Sequence, residues 1–156
     1  MLGETSPGII HESSKYRTPF LQASFQRQKL IEELQKEIEA IEPARRDKVR
    51  QGLKQVIEEQ VGQESYDKNR LEQELIYYIE KMDISEEKIR LSNHLDYFLE
   101  TIQIPLSGKK LGFIAQEIGR EINTLGSKSN HTEMQKLVVE MKDNLEKIKE
   151  QVLNVL

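Results

Sequence analysis

The sequence predicts an all-α protein: a bundle of long helices built from helical hairpins, with a coiled-coil-like helix at the C-terminus. From Phe20 onward, apolar residues recur at steps of three and four, the spacing of one buried helix face, and no stretch shows strand alternation. The 156-residue chain is 37% hydrophobic and 32% charged, a balance typical of long exposed helices that complete their core in partner chains. We therefore expect an all-helical chain that forms a homo-oligomer.

The first 64 residues predict an arm followed by a helical hairpin. Residues 1–19 contain Gly, Pro and Ser and lack the basic and apolar regions of a signal peptide, so we expect a flexible N-terminal arm or the remnant of a longer chain. Residues 20–64 carry two apolar stripes on either side of Pro43, and Gly62 closes the second. Because a first helical turn tolerates proline and glycine often follows a last turn, an antiparallel hairpin turning near Pro43 is expected.

Residues 65–156 predict a helical C-terminal domain. Its first long segment has two apolar stripes that are out of phase, and Asp83 and Glu86 have capping-box spacing, so a kink or a fresh helix start is expected at Asp83. The segment Pro105–Gly108 predicts a turn. The next helix is expected to end or bend at Gly126.

The last helix has the most regular apolar pattern of the chain. Thr132 and Gln135 have capping-box spacing at its start. Its apolar residues then alternate steps of four and three, as in a coiled-coil seam: Met134, Val138, Met141, Leu145, Ile148, Val152 and Val155. The seam can pack against another helix of the same chain or against another chain, and the pattern leaves both open.

Composition excludes several classes of protein. The absence of cysteine excludes disulfides and thiolate chemistry and fits a reducing compartment, so we expect a cytoplasmic protein. The sequence contains no run of 18 apolar residues, so no membrane span is predicted. The net charge of −4 argues mildly against a generic nucleic-acid binder.

Basic residues are nevertheless concentrated in two short segments. The first segment holds five cations around one aspartate, and the second holds two more, giving the set Arg45, Arg46, Lys48, Arg50, Lys54, Lys109 and Lys110. A solvated helix face and a patch that contacts phosphates both explain such clustering.

Two carboxylates and a histidine suggest a metal site. Glu117 and Glu121 lie four residues apart on one helix face, where two negative charges repel unless solvent, a basic group or a cation offsets them. His94 lies on the preceding helix, across the turn, so a hairpin can bring it opposite this pair. A histidine with two carboxylates suits Mn²⁺ better than Mg²⁺, which prefers oxygen ligands. A half-buried histidine satisfied by a carboxylate explains the same pattern.

Further polar residues surround this pattern without defining a second type of site. Arg120 points towards the helix face of Asn123 and Ser127. Three residues one or two turns before His94 are candidate ligands or supporting partners: Glu86, Glu87 and Arg90. No base is placed beside Ser127 by the sequence, and neither a glycine-rich phosphate loop nor a GxSxG motif is present. The other histidines are expected in the arm (His11) and in the loop before the last helix (His131).

Several ordered motifs together resemble a known family. The segments "LGFIAQEIGREINTLGSKSN", "EKMDISEEKIRLSNHLDYF", "RLEQEL" and "VVEMKDNLEKIKEQVLN" resemble the signature of the YicC/YloC family of bacterial endoribonucleases. The resemblance runs from about Phe25 to the end. This chain departs from many relatives at Lys109, Lys110, Gly112 and Gly119, and relatives carry a further N-terminal domain. Glycine within a helix costs about 1 kcal/mol relative to alanine, so Gly119 predicts close packing.

The resemblance implies the C-terminal region of a metal-dependent endoribonuclease that forms a ring, with six chains expected. It implies a metal at His94, Glu117 and Glu121, with Arg120 and Lys128 stabilising phosphate charge and acting with both glutamates in catalysis. The supporting residues are Glu86, Glu87, Arg90, Asn123 and Ser127. The RNA backbone would contact Arg45, Arg46, Lys48, Arg50, Lys109 and Lys110. The alternative is a non-catalytic helical oligomerisation or RNA-adaptor domain whose acidic cluster is structural.

Overall fold

A computed structural model describes residues 19–61, 68–129 and 131–154 and confirms the all-α fold within them. The chain forms five helices: α1 (Pro19–Val61), α2 (Lys68–Met82), α3 (Ser85–Ile102), α4 (Gly108–Ser127) and α5 (Thr132–Leu153). None of these helices is both long and apolar enough to span a membrane.

Four of the helices form an antiparallel bundle. Helix α1 packs against α3 and α5, and α4 packs against the same two helices, so α1 and α4 lie diagonally. Gln28 donates to the carbonyl of Leu95 and Gln35 donates to that of Lys88, so α1 and α3 run in opposite directions. Helix α2 packs against α1.

The regular seam of α5 is buried inside this bundle. Its described members, Met134 to Val152, are at most 3% exposed and belong to the single core cluster that α1, α3 and α4 complete. Of the two alternatives for the seam, packing within the chain is therefore the one observed. Val155 lies outside the described residues. Oligomer formation, which the low apolar content predicts, therefore receives no support from the seam and stays a prediction.

The hairpin predicted for residues 20–64 is wrong, because α1 is one helix of 43 residues with Pro43 in its interior. Proline within a helix loses one backbone hydrogen bond and clashes with the preceding turn, a cost of about 3 kcal/mol. Pro43 itself is exposed, while Ile38, Glu42 and Arg45 are buried on the bundle side of the same helix. Packing before and after the proline therefore holds one continuous helix. The arm, apart from Pro19, and Gly62 lie outside the described residues.

The helix junctions confirm some sequence expectations and correct others. A fresh start after Asp83 is confirmed: the Asp83 carboxylate accepts hydrogen bonds from the backbone N–H and the hydroxyl of Ser85. Glu86 does not complete a capping box and pairs with Arg90 instead. The last helix is capped by His131 rather than Thr132, since the imidazole Nδ1 accepts from the N–H of Met134.

Close packing at Gly119 is also confirmed. A Cβ placed on Gly119 would lie 3.1 Å from Cδ2 of Leu145, tighter than an ordinary contact. Gly126 has the same relation to Val138, at 3.1 Å. Both glycines thus let α4 approach α5 closely, and α4 continues one residue beyond Gly126 to Ser127.

Candidate functional site

Charged side chains from three parts of the chain meet at one end of the bundle. The middle of α1 crosses the α2–α3 junction there, and the α4–α5 junction lies beside both. The bundle topology explains the meeting, since antiparallel neighbours bring the start of α3, the end of α4 and the start of α5 to the same level.

A chain of ion pairs links α3 to α4 at this end. The Lys128 ammonium donates to Oε1 of Glu87 at 2.7 Å, and Arg90 contacts the same oxygen at 3.4 Å. Arg90 also donates from Nε to the carboxylate of Glu121 at 3.0 Å. Glu87 and Glu121 are buried, whereas the side chains of Lys128 and Arg90 are 31% and 46% exposed. Both cations therefore reach from buried carboxylates to the surface.

A second pair on α1 ties that helix to both junctions. Arg45 is buried and donates from Nε to Glu42 at 2.6 Å. Its terminal nitrogens donate to the carbonyls of Met82 at 2.7 Å and Lys128 at 3.4 Å. Since one guanidinium bonds to α1, to the end of α2 and to the residue after α4, Arg45 acts as a structural clamp.

Asp83 adds an anion at the rim of the cluster. Its carboxylate accepts from Arg46 at 3.1 Å and from the hydroxyl of Ser85 at 2.6 Å. The Ser85 hydroxyl, followed by the Ser85 N–H and the charges of Arg46 and Lys128, holds the pKa of Asp83 below its usual value although partial burial opposes this. Asp83 therefore stays ionised at neutral pH.

Two carboxylate oxygens within the cluster are buried without a hydrogen-bond partner. They are Oε2 of Glu87 and Oε2 of Glu42, although the latter lies 3.3 Å from Nε of Arg46. A buried acceptor left unpaired costs about 1–3 kcal/mol. The cluster thus has unpaired acceptors at its centre, while Lys128 and Arg90 are the cations that reach solvent from its buried carboxylates.

The predicted metal ligands are only partly brought together. The Arg90–Glu121 bond sets the register of α3 against α4, and one turn further along it places His94 at the level of Glu117. Glu121 is bound by Arg90, and Glu117 lies 3.5 Å from Arg120. Among the described residues, no group of three or more His, Asp or Glu side chains could hold a metal ion. The three predicted ligands therefore do not form a ready-made group among the described residues, and the metal site stays a prediction.

The remaining predicted residues divide between the cluster and the surface. Glu86 joins the cluster through Arg90, 3.2 Å away. The side chain of Arg120 is largely exposed, and Asn123 and Ser127 are exposed on the same helix. The Ser127 hydroxyl donates to the backbone of α4, at the carbonyl of Thr124. Within the part of the chain that the structure describes, no hydrogen bond or ion pair joins these three side chains to the cluster.

The predicted RNA-contacting residues fall into two separate regions. Arg46, Lys48 and Arg50 are exposed on α1 near the cluster, whereas Arg45 is buried within it. Lys109 and Lys110 begin α4 and so lie at the opposite end of the bundle, about 30 Å away along a 20-residue helix. The ammonium of Lys110 lies over the ring of Tyr97, 5.0 Å from its centre.

Sequence reasoning missed Glu42 and the helix cap His131 as parts of this region, and it predicted Asp83 only as a helix start, without its ion pair to Arg46. Glu42 and Arg45 continue the buried stripe of α1 after Ile38, at steps of four and three. Two charged residues at stripe positions, three apart and of opposite sign, signal a buried ion pair, and that signal was available.

A cavity of about 400 Å³ opens beside the cluster. Its walls come from α1, the end of α2 and the start of α5: Arg45, Lys48, Val49, Met82, His131, Thr132 and Glu133. It is thus bounded on one side by the buried clamp Arg45.

Comparison with known proteins places this architecture in a family. A family model described as endoribonuclease YicC-like, C-terminal, matches residues 26–156. A protein named probable endoribonuclease YicC from Clostridioides difficile (strain 630) is 37% identical over 126 residues, 80% of this chain and 42% of the relative. A protein of the same name from Haemophilus influenzae (strain Rd) is 38% identical over 98 residues, 60% of this chain and 33% of the relative.

The chain thus spans less than half the length of either of these relatives. The family model covers most of the chain, including all residues that form the charged cluster and the cavity. This chain belongs to the YicC-like endoribonuclease family and corresponds to its C-terminal region.

Proposed function

We propose that this chain is the helical C-terminal region of an endoribonuclease and that the charged cluster is where the RNA phosphate lies. The observation that carries the proposal is the pair of exposed cations on buried carboxylates. Lys128 uses two of its three N–H donors, on Glu87 and on the carbonyl of Asp83. Arg90 uses three of five, on Glu86, Glu87 and Glu121.

The unused donors of Lys128 and Arg90 suit a phosphodiester during cleavage. Negative charge develops on the phosphate oxygens in the transition state, and cations held in place beforehand stabilise it without reorganising. Glu87 and Glu121 hold the two cations in place. The attacking group is either water or the ribose 2′-hydroxyl, and this arrangement serves both. The catalytic roles predicted for Glu117 and Arg120 stay part of the proposal. Glu117 lies one turn before Glu121, and the side chain of Arg120 is 73% exposed.

The test is cleavage of an internally labelled RNA by the purified chain, with Mn²⁺ or Mg²⁺ present. Lys128→Met should abolish cleavage while the helical circular dichroism signal is retained. Lys147→Met is the matched control, because Lys147 is an exposed lysine on α5 that lies about 22 Å along the helix from Thr132 and the cluster. Equal activity of the two variants would refute the role of Lys128.

Metal dependence is a separate part of the proposal. His94 and Glu117, at one level on facing helices, are the pair available to a divalent ion, with Mn²⁺ favoured over Mg²⁺ by the histidine. Glu121 would join them only by leaving Arg90. Mn²⁺ should raise the melting temperature of the chain, and His94→Ala should remove that rise. A rise that is unchanged in His94→Ala would place the ion elsewhere.

We propose that RNA backbone also contacts the exposed cations of α1, with Arg45 left out because it is buried. Removing Lys48 and Arg50 together should reduce the salt dependence of RNA binding, since fewer counterions are then released. Removing Lys109 and Lys110 takes away the same charge at the other end of the bundle. If one RNA strand contacts both regions, each variant should show a weaker dependence of RNA affinity on salt concentration. An unchanged salt dependence in both variants would exclude backbone contacts at these residues.

The second candidate is a non-catalytic RNA-adaptor or oligomerisation domain. The intramolecular bonding of the cluster favours it. Its ion pairs join α3 to α4 and to Lys128, and Arg45 ties α1 to both junctions, as structural contacts do. Binding of RNA without cleavage under every metal condition would support this candidate. Homo-oligomer formation, with six chains expected, is measured by light scattering, and a cytoplasmic location stays a prediction.

A further inference from the structure

The cavity beside the cluster combines cationic and apolar walls. Lys48 and Arg45 line one side, and Val49 and Met82 supply apolar surface. Its volume of about 400 Å³ lies within the range of roughly 300–1,000 Å³ found for small-ligand pockets. Pockets of this kind enclose a ligand with an apolar body and a few polar groups placed to orient it.

The polar groups of the cavity are mostly hydrogen-bond donors with unused capacity. Three N–H groups of Arg45 bind Glu42 and two carbonyls, so two of its five remain. Lys48 is exposed, and no carboxylate in the part of the chain that the structure describes forms an ion pair with it. Glu133 is the single acidic residue of the wall.

His131 contributes a third donor through its role as a helix cap. Because its Nδ1 accepts from the N–H of Met134, the neutral ring carries its proton on Nε2. The ring lines the cavity, so the capping bond selects the tautomer that can donate to an occupant. Arg45 and Lys48 of α1 and the cap residue His131 before α5 therefore line the cavity with hydrogen-bond donors.

We propose that this cavity binds a nucleoside monophosphate unit, with the phosphate on Lys48 and His131 beside the buried guanidinium of Arg45, and with the base against Val49 and Met82. The unit is either the terminal nucleotide of an RNA or a free nucleotide, since both present the same chemistry. Arg45 also bonds to the carbonyl of Lys128, so an occupied cavity adjoins the cluster directly. The inference deepens the proposed RNA function but can fail independently of it.

The experiment is calorimetric titration of the full chain at low salt with AMP, adenosine and inorganic phosphate. AMP should bind more tightly than either part alone. Lys48→Ala should weaken AMP binding about tenfold, the loss expected when a charge-assisted hydrogen bond is removed. Lys54→Ala, an exposed lysine of the same helix outside the cavity, is the control and should bind AMP as the parent does. Val49→Phe, which fills the cavity, should also weaken AMP binding.

Competition by two oligoribonucleotides of the same sequence, one with a 5′-phosphate and one with a 5′-hydroxyl, distinguishes an RNA end from a free nucleotide as the ligand. Stronger competition with AMP by the phosphorylated strand identifies an RNA end, and equal weak competition by both identifies a free nucleotide. No AMP binding at low millimolar concentration, or equal AMP affinity in Lys48→Ala and Lys54→Ala, would overturn the proposal. Cleavage of a circular RNA, which has no end, would continue in that case if the endoribonuclease proposal holds.

Discussion

Replacing Glu87 with glutamine tests whether the buried carboxylate organises the cluster. Glu87 is 3% exposed and accepts from Lys128 at 2.7 Å and from Arg90 at 3.4 Å. Glutamine keeps the shape but removes the charge, so both cations lose their partner at the centre of the cluster. Glu86→Gln is the matched control: it makes the same change at the adjacent residue, whose side chain is 81% exposed.

The expected loss for Glu87→Gln follows from the bonds and the exposure of the partners. Breaking a buried ion pair costs about 3–5 kcal/mol when the remaining charge stays buried. Lys128 and Arg90 are 31% and 46% exposed, so water can solvate them after the change and the cost is lower. One hydrogen bond between charged groups contributes about 1.5–3 kcal/mol. We therefore expect a loss of about 2 kcal/mol in the free energy of unfolding.

The control should lose at most about 0.5 kcal/mol, as exposed pairs four residues apart on a helix do. Urea denaturation of the two variants measures the difference directly. For a chain of this size, a loss of about 2 kcal/mol lowers the melting temperature by roughly 4–8 °C. If Glu87→Gln is no less stable than Glu86→Gln, relief of the buried charge and its unpaired Oε2 outweighs the lost bonds, and the reasoning is refuted.

Three further changes test the other structural arguments, each by urea denaturation. Because the pKa of Asp83 is lower in the folded chain than its unfolded value of about 4, the ionised Asp83 stabilises the fold above about pH 4. This stabilisation is lost as the pH falls through the folded pKa, so the difference in unfolding free energy between the parent and Asp83→Asn should shrink below about pH 4. A difference that does not change with pH would contradict this. Pro43→Ala should stabilise the chain by about 2 kcal/mol: it removes the proline's cost of about 3 kcal/mol in the helix, and up to about 1 kcal/mol is lost because the unfolded chain becomes more flexible. A loss of stability would contradict the account of α1. A Cβ on Gly52 meets nothing within 4 Å, so Gly52→Ala should raise the free energy of unfolding by about 0.5–1 kcal/mol. Gly119→Ala should raise it less, because its Cβ would lie 3.1 Å from Cδ2 of Leu145. Equal increases would contradict the close packing at Gly119.

The candidate site was predictable in its members more than in its arrangement. Glu87, Arg90, Glu121 and Lys128 were all singled out from the sequence, and the structure joins them in one series of ion pairs. Their partners were assigned differently, since Glu121 was expected to face a metal and is bound by Arg90. A residue's type shows which partners are chemically possible, but the registers of three helices select among them.

Local periodicity by itself determined the helical class, the break at Asp83 and the buried face of the last helix. These features depend on contacts between residues three or four apart, so a single chain segment carries the whole signal. The need for close packing at Gly119 was also local, because glycine within a helix is unfavourable unless something approaches it.

The tertiary structure alone decided the course of α1 and the bonds of Arg45 to the carbonyls of Met82 and Lys128. Pro43 lowers the local preference for helix, but burial of Ile38 and Arg45 on either side keeps α1 continuous. The seam of α5 was compatible with packing inside or between chains, and the bundle buries it inside. The continuous α1 and the burial of the α5 seam depend on the summed packing of residues distant in sequence. This packing outweighs the few kcal/mol of a local preference for or against helix, and the local sequence pattern does not record it.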